Sequence, residues 1–108
     1  MGYVRLVVTM QTTYYVGEFS KTFAAIVSAR LAESGVTQNQ IAERLGRTRS
    51  YVGKRLRGEA PLSLDVVDAV SQLLPGVSSP RQFVRDIVDE IGRYPEVWAS
   101  REGDLPAL

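Results

Sequence analysis

Along the 108-residue chain, the spacing of apolar residues changes character near position 18. Up to there, Tyr3-Val4-Arg5-Leu6-Val7-Val8-Thr9-Met10 and Thr12-Thr13-Tyr14-Tyr15-Val16 are rich in β-branched and aromatic residues, which favour extended chain. This leader, residues 1–17, is expected to be a strand, a short hairpin or a disordered segment. From Ser20 onward, Phe23, Ile26, Val27 and Leu31 recur at three- and four-residue spacing, the stripe of an amphipathic helix. Ser20 is its expected N-cap, and Gly35 stands where a left-handed residue closes a helix. A second helix follows at once: Thr37 and Gln40 have capping-box spacing, Ile41, Ala42 and Leu45 form the inner face, and Gly46 ends it. Thr48 then caps a third helix, with Val52 and Leu56 inward and Gly58 as its stop.

After the loop Glu59-Ala60-Pro61, Ser63 is the expected cap of a fourth helix that turns Val66, Val67, Val70, Leu73 and Leu74 inward and closes at Pro75-Gly76. Ser79-Pro80 opens a fifth, with proline at the first helical position, where its missing N–H is no loss. Phe83, Val84, Ile87, Val88 and Ile91 line one side of this helix, and Gly92 ends it. Residues 93–108 carry Tyr94, Pro95 and Trp98 in a polar, glycine- and proline-punctuated context, expected as one more turn or a loose tail with Trp98 docked. The expected organisation is therefore one helical domain over residues 18–92, between a leader and a short C-terminal tail. No internal repeat or low-complexity segment interrupts it.

Composition narrows the chemistry. A hydrophobic fraction of 44% supports a core without disulfides, and the chain has neither cysteine nor histidine. That removes the thiolate nucleophile, the commonest general base and the usual zinc ligands. Asp86, Asp89 and Glu90 are the one carboxylate group near metal-site spacing, and they read as a solvated face of the fifth helix. Neither an enzyme nor a metal or other cofactor is expected. The longest apolar run near the N-terminus, Leu6 to Val8, is too short for a membrane span or a signal peptide, so a cytoplasmic location is expected.

The formal net charge of +1 conceals a segregation. Arg44, Arg47, Arg49, Lys54, Arg55 and Arg57 fall in one acid-free stretch, leaving seven basic against twelve acidic residues elsewhere. A positive segment on an otherwise acidic chain seeks a polyanion, although a basic cluster alone reads equally well as a solvated helix face. Its setting favours the polyanion. Two short helices joined by a glycine-containing turn form the helix-turn-helix signature: Ala42 is small where the helices cross, Gly46 turns the chain, and Ile41, Leu45 and Val52 fix the crossing by burial. These inner positions leave Arg49, Ser50, Gly53, Lys54 and Arg57 on the outer side of the third helix, where arginine and lysine reach guanine O6 and N7 in a major groove. Tyr51 is expected to pack beside the core or on the backbone.

The stretch Thr37–Gly58 (TQNQIAERLGRTRSYVGKRLRG) resembles the lambda repressor/Cro-like (XRE-type) helix-turn-helix family, and Val52–Asp65 (VGKRLRGEAPLSLD) is similar to repressors of actinobacteria and their phages. The resemblance covers about Ser20 to Leu74, half the chain. It implies an all-α, five-helix lambda-repressor-like DNA-binding domain. It also implies a phosphate contact at Gln38, base reading at Arg49, Ser50 and Lys54, and a backbone contact at Arg57. Arg47 and Arg55 depart from it, because the family usually carries apolar residues there. Leu56 is expected to take over packing from Arg55, and Arg47 to lay its stem on the core and point its head at a phosphate.

The resulting expectation is a sequence-specific transcriptional regulator, a phage or prophage repressor or Cro-like protein, that binds double-stranded DNA as a homodimer on a pseudo-palindromic operator. The DNA-binding residues are Gln38, Arg47, Thr48, Arg49, Ser50, Lys54 and Arg57. The apolar excess of the fifth helix assigns Val84, Ile87, Val88 and Ile91 to the dimer contact. Two alternatives stay open: a DNA-bending excision factor, and an antitoxin-type interaction protein whose terminal segments bind a protein partner while its helix-turn-helix autoregulates.

Overall fold

The computed structural model describes residues 16–93, and among these it forms five helices: α1 (Glu18–Ser34), α2 (Gln38–Leu45), α3 (Arg49–Leu56), α4 (Leu64–Leu73) and α5 (Pro80–Ile91). The expectations for residues 1–15 and for Trp98 lie outside the described residues. Among the described residues there is no strand, and no helix is long and apolar enough to cross a membrane.

Local chemistry sets most of the boundaries. Thr37 Oγ1 accepts from the Gln40 backbone N–H at 3.2 Å while Gln40 Oε1 accepts from the Thr37 N–H at 2.7 Å, closing a full capping box at α2. Thr48 Oγ1 accepts from Tyr51 N at 3.1 Å, and Ser79 Oγ from Gln82 N at 3.1 Å with Pro80 at the first helical position. Gly35 and Gly46 close α1 and α2 at φ 77° and 65°, a left-handed conformation that a Cβ would strain.

Two expected caps do other work. Helix α1 begins at Glu18 with Gly17 in the cap position, so Ser20 sits inside its first turn. There Ser20 Oγ accepts from the Leu62 N–H at 3.3 Å and pins the loop that leads into α4. Ser63 occupies the cap position of α4 without capping it; Asp65 Oδ1 accepts from the Val66 N–H at 2.8 Å instead.

The core is built from the inward stripes read from the sequence, with Leu45 and Leu73 only partly buried against it. Phe23, Ile26, Val27 and Leu31 of α1 meet Ile41 and Ala42 of α2, Val52 and Leu56 of α3, Val66, Val67 and Val70 of α4, and Phe83 of α5, all buried. Each large side chain buried this way contributes about 1.5–3 kcal/mol relative to exposure. Ser28 Oγ donates to the Leu56 carbonyl at 2.9 Å, so α1 satisfies an acceptor at the C-terminus of α3 and fixes its end. Arg30 Nη2 pairs with Glu90 Oε1 at 2.7 Å, tying α1 to α5. Glu90 thereby leaves the solvated face expected for it, while Asp86 and Asp89 remain exposed.

The stripe on α5 divides differently from the sequence expectation. Ile87 and Ile91 are 0% and 2% exposed, committed to the core of the chain itself and so withdrawn from the expected dimer face. Helix period explains this: they continue the line of Phe83 at four-residue steps toward α1 and α4. Val84 is half-buried and Val88 is 43% exposed, so of the four residues only these two retain accessible surface.

Candidate nucleic-acid interface

Helix α3 is short and sharply two-sided. Val52 and Leu56 face the core, and Arg49, Ser50, Lys54 and, just beyond the helix, Arg57 are exposed. Arg47 and Thr48, in the turn before it, are exposed as well. The Thr48 oxygen is used as a cap acceptor, which leaves its hydroxyl hydrogen to donate outward. The burial of Val52 and Leu56 and the cap at Thr48 together hold the first turn of α3 so that Arg49 and Ser50 lead it into solvent.

Not every cation of the basic stretch contributes to that surface. Arg44 Nη1 donates to Gln72 Oε1 at 2.7 Å and is drawn toward α4. Arg55 is half-buried: its Cζ lies 3.6 Å from the centroid of the Tyr51 ring, and its Nη1 donates to the Tyr51 carbonyl at 3.1 Å. Arg47 also stands over Tyr51, with Cζ 4.7 Å from the ring centroid. Both departures from the resembled family therefore share one aromatic partner. Tyr51 itself is half-buried beside the core, as expected.

Gly53 is buried, contrary to its expected place on the outer side of α3. A Cβ there would stand 2.7 Å from Arg57 Nη1 and 3.0 Å from Gln38 Oε1, so these two side chains close over it. The glycine allows Gln38, the first residue of α2, to converge with Arg57 at the end of the basic surface. Arg57 in turn donates from Nε to Glu59 Oε2 at 2.6 Å, a partner the sequence reading left in a loop. The hydrogen bond and the opposite charge hold the Glu59 carboxyl below its ordinary range and raise the Arg57 guanidinium. An Arg-x-Glu pair across the glycine stop was the available signal.

At the start of α4, hydrogen bonds from Ser63, the Val66 backbone and Tyr51, with the charge of Arg47, lower the pKa of Asp65 against a smaller opposing effect of burial. No cluster of three or more His, Cys, Asp or Glu side chains able to hold a metal forms among the described residues. The surface has the chemistry of a cationic hydrogen-bond donor, suited to phosphate oxygens and base edges.

A family model described as helix-turn-helix matches residues 26–80, from the middle of α1 to the first residue of α5, about half of the chain. Searches among curated proteins and among solved structures give no match.

Proposed function

Because the chain belongs to the lambda repressor-like (XRE-type) helix-turn-helix family of DNA-binding transcription regulators, we propose that it reads a pseudo-palindromic operator with α3 in the major groove and represses transcription by occluding RNA polymerase. The observation that carries this reading is the two-sidedness of α3, with Val52 and Leu56 buried and Arg49, Ser50 and Lys54 exposed. Arg49 reads a guanine through O6 and N7, while Ser50 and Lys54 contact neighbouring bases. Gln38, Arg47, Thr48 and Arg57 hold phosphates on either side and set the register of the helix in the groove.

The protein acts as a homodimer in this reading, because one short recognition helix makes few base contacts. Two copies related by a two-fold axis place their helices about 10 base pairs apart between half-site centres. Exposed Val88 and half-buried Val84 support a contact through α5. The phage or prophage repressor assignment, in preference to an antitoxin or an excision factor, rests on the resemblance carried by Val52–Asp65.

Selection of binding sites from random duplexes, followed by footprinting, tests the proposal. A two-fold symmetric site protected over two half-sites is expected. Failure to enrich any sequence from the random pool would refute it.

A further inference from the structure

Tyr51 and Arg55 stand four residues apart on one face of α3, and Arg47, in the turn before the helix, reaches the same ring from the other side in sequence. Both guanidiniums lie over the one ring, Arg55 at 3.6 Å and Arg47 at 4.7 Å from its centroid. The two cations differ in what they have left to offer. Arg55 is half-buried, bonds the Tyr51 carbonyl through Nη1, and keeps its Nε out of solvent with no hydrogen-bond partner. It braces the ring. Arg47 is exposed and forms no salt bridge among the described residues. The far edge of the ring is held by the start of α4: Tyr51 Oη donates to Asp65 Oδ2 at 3.3 Å and lies 3.5 Å from Ser63 Oγ.

A ring held at both ends is more than filler for the space beside α3. A guanidinium held against an aromatic ring by cation–π attraction keeps its N–H donors free for phosphate, which it bonds in pairs. It also gives up rotamer freedom before any ligand arrives, so less is lost on binding. We propose that Tyr51 is a positioning residue for DNA-backbone binding: braced by Arg55 and anchored on Asp65, it presets the Arg47 guanidinium as a phosphate donor at the turn before α3. The inference rests on the reading of α3 as the DNA-binding surface and adds to it a residue that touches no DNA.

Phosphate contacts are indifferent to sequence, so a labelled mixed-sequence duplex of about 25 base pairs, a little over two helical turns, is a sufficient probe. Binding is measured across salt concentrations for the full chain, Arg47→Ala, Tyr51→Leu, Tyr51→Phe and the double variant Arg47→Ala/Tyr51→Leu. Arg47→Ala is expected to reduce the salt slope by about one. Tyr51→Leu is expected to weaken binding roughly three- to fivefold, the scale of an exposed cation–π contact. Tyr51→Phe, which keeps the ring but loses the Oη bond to Asp65, should lose less than Tyr51→Leu, and Tyr51→Leu should cost nothing further once Arg47 is alanine. Additive losses in the double variant, or an unchanged slope in Arg47→Ala, would overturn the positioning role alone. A full chain that shows no salt-dependent binding would overturn the DNA-surface reading and this inference with it. A measurement on the unaltered protein covers the case in which Tyr51→Leu does not fold. The Arg47 Nε–H proton resonance should be shifted upfield by the ring and show restricted motion before DNA is added; a free-arginine signal would sink the proposal.

Discussion

Arg57 donates from Nε to Glu59 Oε2 across 2.6 Å, so the last cation of the α3 surface is already paired with a carboxylate of its own chain. The pair is about half exposed on both sides, and water and salt screen it. A DNA phosphate that takes Arg57 competes with Glu59 for the guanidinium or binds beside it, and either way meets a second negative charge nearby. Glu59→Gln removes the competitor and adds one net positive charge. Binding to all duplexes should therefore strengthen a few-fold, with operator and random DNA gaining alike. Titration of both duplexes at one salt concentration checks this. No gain on either duplex would show that Arg57 does not reach a phosphate.

Gly53 separates stability from binding. The atoms a Cβ would meet there, Arg57 Nη1 at 2.7 Å and Gln38 Oε1 at 3.0 Å, are the far ends of flexible side chains. Alanine can therefore be seated by swinging those ends aside, without prising α2 from α3. Alanine also gains about 0.5–1 kcal/mol over glycine inside a helix. Gly53→Ala should melt at the same temperature as the parent or a few degrees higher, yet bind DNA more weakly because Gln38 and Arg57 no longer converge. A large drop in melting temperature would mean the backbones are in tighter contact than their side-chain ends indicate.

Asp65 gives the domain an acid limit. Its pKa is held down by hydrogen bonds from Ser63, the Val66 N–H and Tyr51 and by the charge of Arg47. A depressed carboxylate contributes stability that is fully present above its unfolded pKa and lost as pH falls through the folded one. The melting temperature of Asp65→Asn should therefore lie below that of the parent at neutral pH, by about 0.5 kcal/mol in stability after allowance for solvent screening at a helix N-terminus. The two curves should converge in the acid range below the ordinary carboxylate pKa. A gap that persisted unchanged into acid would assign the effect to packing and remove the charge from the explanation.

The features legible in the sequence were those whose partners lie within one or two helical turns. The Thr37–Gln40 box and the caps at Thr48 and Ser79 join residues three apart, and the inward stripes follow from period alone. Ser20 was misread because the group it satisfies, the Leu62 N–H, is 42 residues away, and a serine before an apolar run looks the same in either role. Gly53 was misplaced for a similar reason: its outer side is closed by Gln38, which belongs to the preceding helix. Arg47 and Arg55 stood out as members of the basic stretch and as departures from a resembled pattern. Their common spacing from Tyr51 was in the sequence, but only the fold shows that the ring is anchored on Asp65 and so available to both.

The exposures of Ile87 and Val88 decide how the dimer contact is tested. Ile87 is 0% exposed, so an aspartate there would bury an unpaired charge and unfold the chain, and its failure to bind DNA would say nothing about association. Truncating Ile87 to alanine should itself cost about 2–5 kcal/mol. Val88, one residue on, is 43% exposed and carries the contact if α5 meets a second copy. Val88→Asp should leave the helical circular dichroism and the melting transition close to those of the parent. It should then lower affinity for a full two-half-site operator steeply while leaving binding to a single half-site almost unchanged. Sedimentation of the protein alone and on its operator separates the outcomes. Two parent chains and one variant chain per operator under the same conditions are expected. A parent that remains monomeric on the full operator would sink the dimer model, and a Val88→Asp chain that still binds in pairs would move the contact away from α5.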